Sequence, residues 1–339
     1  CFAKEMKVRL GVDLEDMIQE LYDSHGIPWF YVKDIQQHKI EDGYVLSFDI
    51  WNSSRNEGVI SLYTAMKKDY MQFREFKSIT VEAGTCKHWE VILPGWVDAA
   101  GISTNMAMNL PNMYLQYFKE EPEEAEIMMG DRMLDSVPFL PLAGEIIVDD
   151  EDAGFRTIET KSRGLLKRDA GKDREYLHMV YMSMEDFPEW KSSVSPEAYG
   201  NPYRSYHFKK VGKEKSYVEW NTCLPEAGDY EIFIHHLSLN LRLPFNQELF
   251  SSYYTVEQGD YKADVRIDFN SLGDRKVIMT DNSGRENESV FGTENRNSSM
   301  WVPVGVFTFN AGETKITLSN QGAFPGQVIF ADAVKWVKK

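Results

Sequence analysis

The sequence predicts a mainly β protein, with an N-terminal helix ahead of two antiparallel β-sandwich domains. Three observations predict it. Near the start, apolar residues recur at helical spacing. From residue 29 onward, apolar and polar residues alternate in short runs separated by Gly, Pro and Asn, which is the period of strands. The length of 339 residues, 42% of them apolar, is more than one sandwich needs and suits two domains with cores of their own.

The helix comes first. Leu10, Leu14, Met17, Ile18 and Leu21 recur along residues 7–26, where Asp13 can cap and Gly26 can end the helix. Such a stripe needs a surface to bury it. Residues 1–28 therefore read either as a helix packed on the adjoining sandwich domain or as the remnant of an upstream domain. Residues 29–118 then change period. In "GYVLSFDIWNSS", Tyr44, Leu46, Phe48 and Ile50 fall on one face, and "EGVISLYTAM", "KSITVEAGTCKHWEVILP" and "NMAMNLPNMYLQYF" continue the alternation. Short strands at this spacing predict an immunoglobulin- or fibronectin type III-like sandwich. Residues 119–144 form the expected linker, because "KEEPEEAE" is an acidic run with a proline and such runs are usually solvated.

The second domain, 145–339, opens with the strand "GEIIVDDEDAGF". An irregular, partly helical stretch is expected over 160–200. Strands follow in "SYVEWNTCLP", "GDYEIFIHHL", "YYTVEQGDYKADVRIDF" and "RKVIMTD". The chain closes on "WVPVGVFTFNAGETKITLSN", which turns at Asn310-Ala311-Gly312, and on "GQVIFADAVKW". With no repeats and no βαβ rhythm, a jelly-roll sandwich fits better than a doubly wound sheet.

Charge and cysteines narrow the function. A formal net charge of −16 argues against nucleic acid and anionic membrane as partners, since both require clustered Lys and Arg. No apolar run approaches the roughly 20 residues of a spanning helix, so no transmembrane segment is expected. Cys1 admits two readings: the lipidated first residue of a bacterial lipoprotein, or an internal boundary of a longer protein. Cys86 and Cys223 have no CxxC partner and are expected as buried free thiols.

The order of motifs in the second domain carries a resemblance. Trp220, Leu224-Pro225, Gly228 with Tyr230, Tyr254-Thr255-Val256, Trp301, Ala311-Gly312 and Ala331-Asp332-Ala333-Val334 follow one another as they do in the golvesin C-terminal-like domain. That domain is also described as a xanthan-lyase-type carbohydrate-binding-like domain. The resemblance covers about 145–338, departs from the compact form by the long stretch at 160–200, and has "WVPVG" where the family tends to a simpler Trp-x-x-Leu-Gly. It implies a jelly-roll, galactose-binding-like fold and carbohydrate binding. More weakly, "GVDLEDMIQELYDSHGIPWF" and the strands after it resemble the end of a zinc aminopeptidase-like protein running into its sandwich domain. That resemblance implies a non-catalytic C-terminal portion of a larger protein from a Bacteroides-type bacterium, with an upstream domain as partner. The HExxH motif of such an enzyme is absent.

Two constellations could bind something. Asp149, Asp150, Glu151 and Asp152 end the second domain's first strand and Asp332 begins its last. First and last strands of jelly rolls often pair, so Asp149, Asp150, Asp152 and Asp332 are candidate ligands of a structural calcium, which takes oxygen donors. The alternative is a solvated strand end, with Asp332 bonded to nearby backbone. In "YGNPYRSYHF", Tyr199, Asn201, Tyr203, Arg204 and His207 offer aromatic platforms and polar rims of the kind that hold a sugar of a polysaccharide. Aromatics on strands, however, mostly build cores. Catalysis lacks a motif: His235 and His236 face opposite sides of a strand, and there is no nucleophile elbow, phosphate loop or dinucleotide fingerprint. The expected function is a non-catalytic, carbohydrate-binding-like accessory region of a secreted or cell-envelope protein. The alternatives are a structural module that positions an upstream catalytic domain and, less favoured, a polysaccharide-active hydrolase.

Overall fold

The structure, a computed structural model, describes residues 26–66, 72–124, 130–134, 141–142, 144–159, 189–211, 216–237, 250–269, 275–291, 300–324 and 327–339. The helix expected over 7–26, Cys1 and most of the stretch expected to be irregular over 160–200 lie outside these residues, Gly26 excepted. All regular structure among the described residues is β, in five antiparallel sheets. Internal contacts divide the chain into two compact units, 1–140 with 201–203, and 141–200 with 204–339.

The first unit contains β1 (Phe30–Ile40), β2 (Gly43–Asn52), β3 (Gly58–Ala65), β4 (Arg74–Val81), β5 (Cys86–Leu93), β6 (Ala99–Ser103), β7 (Met113–Tyr117) and β8 (Arg132–Met133). They form two sheets, ordered β1-β2-β5-β8 and β4-β3-β6-β7. Alternation decides which side of each strand is buried. Leu46, Phe48 and Ile50 of β2 reach one core with Ile60 and Leu62 of β3 and Ile102 of β6. Each fully buried side chain of this size contributes about 1.5–3 kcal/mol. Buried Asn109 completes the edge, since it accepts from Phe30 N (2.9 Å) and donates to Phe30 O (2.7 Å) and Tyr114 Oη (2.9 Å). Part of the stretch expected as linker is a strand, because β8 pairs with Lys87 and His88 of β5.

The second unit contains β9 (Glu145–Val148), β10 (Phe155–Glu159), β11 (Lys191–Val194), β12 (Ser205–Lys210), β13 (Ser216–Leu224), β14 (Gly228–His236), β15 (Phe250–Gln258), β16 (Tyr261–Phe269), β17 (Arg275–Thr280), β18 (Glu286–Phe291), β19 (Met300–Phe309), β20 (Gly312–Ser319), β21 (Val328–Ala331) and β22 (Val334–Lys338). A seven-stranded sheet runs β10-β13-β20-β15-β16-β17-β18, a four-stranded sheet β19-β14-β22-β9, and a three-stranded sheet β11-β12-β21. One cross-strand row, Phe155–Trp220–Ile316–Val256–Ala263, lines the core side of the large sheet. It shares a core with Tyr230, Ile232, Phe307 and Trp336 of the four-stranded sheet. Trp220 and Trp336 are thus packing residues.

The strands either side of the Asn310-Ala311-Gly312 turn go to different sheets. β19 pairs with β14, whereas β20 pairs with β13 and β15. Gly312 takes φ +125°, a backbone that side chains rarely adopt, where the chain changes sheet. The first and last strands of the unit pair, Val148 opposite Val334.

Candidate metal centre

Two loops meet where β9 and β22 pair. The first, Asp149 to Gly154, turns from β9 into β10. Asp152 N donates to Asp149 O (3.1 Å), Phe155 N to Asp152 O (2.9 Å), and Asp149 N to Asp152 Oδ2 (2.8 Å). Gly154 presses this loop on β13: Asn221 N donates to its carbonyl (2.9 Å), and a Cβ at Gly154 would stand 2.3 Å from Asn221 O. Only glycine fits that approach. The second loop is Asp332-Ala333, between β21 and β22. Trp220 Nε1 donates to Asp332 O (2.8 Å) and His235 N to Ala333 O (2.9 Å). Asp332 is therefore anchored by its backbone before its side chain does anything.

The result is a cluster of carboxylates. Ligand oxygens of Asp149, Asp150 and Asp332 all lie within 4.8 Å of one another. The three residues are 8%, 6% and 2% exposed. Asp332 Oδ2 accepts from Tyr199 N (3.1 Å) and faces His235 Nδ1 at 2.6 Å. Asp150 Oδ1 accepts from Ser205 Oγ (2.8 Å), and its Oδ2 faces His207 Nδ1 at 3.0 Å. Opposite a carboxylate, each imidazole nitrogen is the donor. Two oxygens are left over: Asp149 Oδ1 and Asp332 Oδ1 are buried and accept no hydrogen bond among the described residues.

The electrostatics of the centre reflects this crowding. Burial, then the charges of Asp332 and Asp150, push the Asp149 carboxyl from 3.8 up to about 9. Burial also raises Asp332, against the pull of the hydrogen bond and charge of His235. A buried carboxylate trio cannot stay fully ionised without a positive charge, so it holds either protons or a cation. The donors are all carboxylate oxygens and both imidazoles present their Nδ1 to carboxylates, which suits a hard divalent cation rather than a thiophilic metal. The two orphaned oxygens fit that occupant, and a divalent cation would be held by Asp149, Asp150 and Asp332. Asp152 stands apart, with Oδ2 turned back to its own loop.

The five sugar-site candidates do not share one unit. Tyr199, Arg204 and His207 lie in the second, beside the acids. Tyr199 packs edge-on against Trp301 (5.1 Å between centroids), buried Arg204 donates from Nη1 to Pro196 O (3.2 Å), and His207 holds Asp150 with its ring 4.9 Å from Phe155. Asn201 and Tyr203 belong to the first unit. There Asn201 Nδ2 donates to Phe30 O (2.9 Å), and Tyr203 forms an isolated bridge with Leu110. His235 and His236 do face opposite sides, His235 toward Asp332 and His236 onto Phe269 (4.4 Å). The expectation of two buried thiols needs correcting: Cys86 is buried but Cys223 is exposed, being on the outward side of β13. Sequence reading missed His235 and Ser205 as partners of the acids. They lie 97 and 55 residues from the groups they bond, so no local spacing could have linked them.

No family model matches the chain, and no curated protein matches it. Among solved structures, a Paenibacillus xanthan lyase matches at 14% identity and TM-score 0.33, covering 93% of this chain and 25% of its own. A Podospora anserina GH26-CBM35 β-(1,4)-mannanase matches at 12% identity and TM-score 0.26, covering 58% and 28%. A Bacteroides uniformis β-glucuronidase matches at 11% identity and TM-score 0.25, covering 95% and 31%. The chain spans between a quarter and a third of the length of these proteins.

Proposed function

We propose that this chain is a non-catalytic, carbohydrate-binding-like accessory region of a secreted or cell-envelope bacterial protein, in which a structural divalent cation, calcium by its donors, closes the second unit. The first unit is read as fibronectin- or immunoglobulin-like, since β1-β2-β5 face β3-β4 and β6-β7. The second is read as a jelly-roll relative of the golvesin C-terminal-like domain, on the motif order from Trp220 to Val334.

The observation that carries the non-catalytic reading is the burial of the converging acids. A general acid or base must reach its substrate. Asp149, Asp150 and Asp332 are instead enclosed, held by Ser205, His207, His235 and backbone, and set where the first and last strands pair. Glu159, a carboxylate that could be imagined in a glycosidase pair, is likewise committed, with both oxygens 2.9 Å from Lys209 Nζ. Such groups hold strands together.

Affinity electrophoresis of the full chain against soluble polysaccharides, with calcium or a chelator, tests the reading beside Tyr203→Ala. Retardation by a polymer supports the carbohydrate-binding role, and its loss in Tyr203→Ala would place contacts at that tyrosine. Migration unaffected by every polymer would favour a structural module that positions a neighbouring domain.

A further inference from the structure

The outer face of the seven-stranded sheet carries a second feature, far in kind from the acid centre. Along β13, Val218 and Trp220 enter the core, so Tyr217, Glu219 and Asn221 point outward. Along β15, Tyr254 and Val256 enter the core, so Tyr253, Thr255 and Glu257 point outward. Tyr217 pairs with Ser319 of β20, and Tyr253 precedes the residue that pairs with Leu318, which sets both tyrosines level with Ser319. Both are half-buried. They flank one strand, so they stand two strand spacings apart, roughly 10 Å.

Further along the same face, about four residues or ~13 Å away, the sheet opens into a cleft of about 590 Å³. Arg156, Asn221, Glu257, Gln258, Glu313 and Lys315 line it. Lys315 Nζ lies 2.7 Å from Glu257 and 3.7 Å from Glu219, and with Arg156 and Glu313 the cleft and its edge carry two positive and three negative groups. An anionic polymer finds no net positive charge there, and the cleft's lysine is already paired with carboxylates. A polyol finds many donors and acceptors, and the tyrosines supply flat apolar surface for the C–H faces of sugar rings.

We propose that this face binds an uncharged glycan chain, its rings stacked on Tyr217 and Tyr253 and its hydroxyls bonded in the cleft formed around Asn221, Glu257 and Gln258. The separation of the tyrosines suits a chain of linked hexoses rather than a single sugar. The inference rests on the carbohydrate-binding reading above and assigns that reading its surface and ligand class.

Cys223 lines the same cleft and is exposed, which gives the test a reporter that needs no substitution. The full chain is run in native gels containing glucomannan, mixed-linkage β-glucan, xyloglucan or polygalacturonate, beside Tyr217→Ala and Tyr253→Ala. Alkylation of wild-type Cys223 is followed in parallel by peptide mass, with and without each polymer. The expected result is retardation by an uncharged polymer, weakened at least tenfold in each variant, with Cys223 alkylation slowed severalfold by that polymer. Retardation that persists in both variants, with Cys223 alkylated at its free rate, would overturn this face while leaving carbohydrate binding standing. Retardation by polygalacturonate alone would overturn the uncharged ligand. If no polymer retards the chain, the carbohydrate reading itself fails, and this inference with it.

Discussion

Withholding the proposed cation from the acid centre is the perturbation whose size the structure best defines. Three carboxylates have ligand oxygens within 4.8 Å of one another. At an effective dielectric near 20, each ionised pair at that distance repels by at least about 3 kcal/mol, so the trio repels by roughly 10 kcal/mol. That equals the whole stability of an ordinary domain. Without a cation, the centre must keep a proton, and the Asp149 carboxyl holds one up to about 9.

Because the folded value lies above the ordinary 3.8, the proton's help to the cation-free fold is complete below about pH 4 and is lost as pH rises toward 9. A cation takes the proton's place, so its stabilisation grows over the same window. At a thousandfold excess over Kd the gain is about 4 kcal/mol, or roughly 8–16 °C for a unit of about 200 residues. Thermal melts of the full chain with calcium or chelator, at about pH 5.5 and 8.5, should differ by that much at the higher pH and by little at the lower. Calorimetry in two buffers of different ionisation enthalpy should register about one proton or more released per calcium near neutral pH. Asp149→Asn mimics the protonated acid, so it should fold well and lose the calcium response. Superimposable melts with and without calcium at the higher pH would refute the reasoning, as would a calcium effect that shrinks as pH rises.

Three further substitutions test the scaffold. Glu159→Gln should cost about 2–4 kcal/mol near neutral pH, because buried Lys209 loses its carboxylate partner. Burial opposes ionisation of Glu159, but hydrogen bonds from Lys209, Ser216 and Trp190 N prevail and hold its carboxyl below the ordinary 4.5. Its contribution is therefore present above about pH 4.5 and lost as pH falls through the lowered value, so parent and variant melts should converge in acid; an equal gap at both pH extremes would show that charge is not the cause. Gly154→Ala should cost about 1–3 kcal/mol in a denaturant titration and weaken the calcium response, since its Cβ meets Asn221 O; an unchanged midpoint would contradict the close approach. Asn109→Ala should cost about 1–3 kcal/mol, because it strands the buried N–H of Phe30, whereas Phe30 O keeps Asn201 Nδ2 and Tyr114 Oη as donors. Amide exchange at Phe30 should quicken with it.

Faces were legible in the sequence where partners were not. Alternation alone placed Leu46, Phe48 and Ile50 on one side of β2, and all three are in the core. Pairing of the first and last strands could be argued from chain order, and it brings Asp149 and Asp150 beside Asp332. Alternation does not say which sheet a strand joins, so the parting of β19 and β20 to opposite sheets was hidden. β18, "ENESVF", is mostly polar and exposed at a sheet edge, and it gave no apolar signal. The aromatic run at 199–207 showed the opposite problem. Its composition suggested a sugar platform, yet Tyr206 is fully buried and Tyr199 packs on Trp301, because composition cannot tell a ring that faces water from one that faces the core.

One strand links the acid centre to the outer cleft, and its geometry says how the two are coupled. On β13, Trp220 turns inward and donates its indole N–H to Asp332 O, while Tyr217 and Asn221 turn outward. The cation would thus fix the closing loop and, through Trp220, the register of β13; it would reach the outer face through Asn221, whose N (2.9 Å) and Nδ2 (3.1 Å) both donate to Gly154 O in the acid loop. That tie ends on a backbone carbonyl and leaves Tyr217, Tyr253 and Glu257 on the far side of the sheet without a partner in the acid loop, so the coupling is weak. Chelation well below the melting temperature should therefore leave polymer affinity within about twofold, whereas near the melting temperature binding should vanish together with the fold. Affinity that drops well below melting, with no loss of near-ultraviolet circular dichroism, would mean that the acid centre takes part in ligand binding directly, and β13 would then be a coupler between two sites rather than a fixed support.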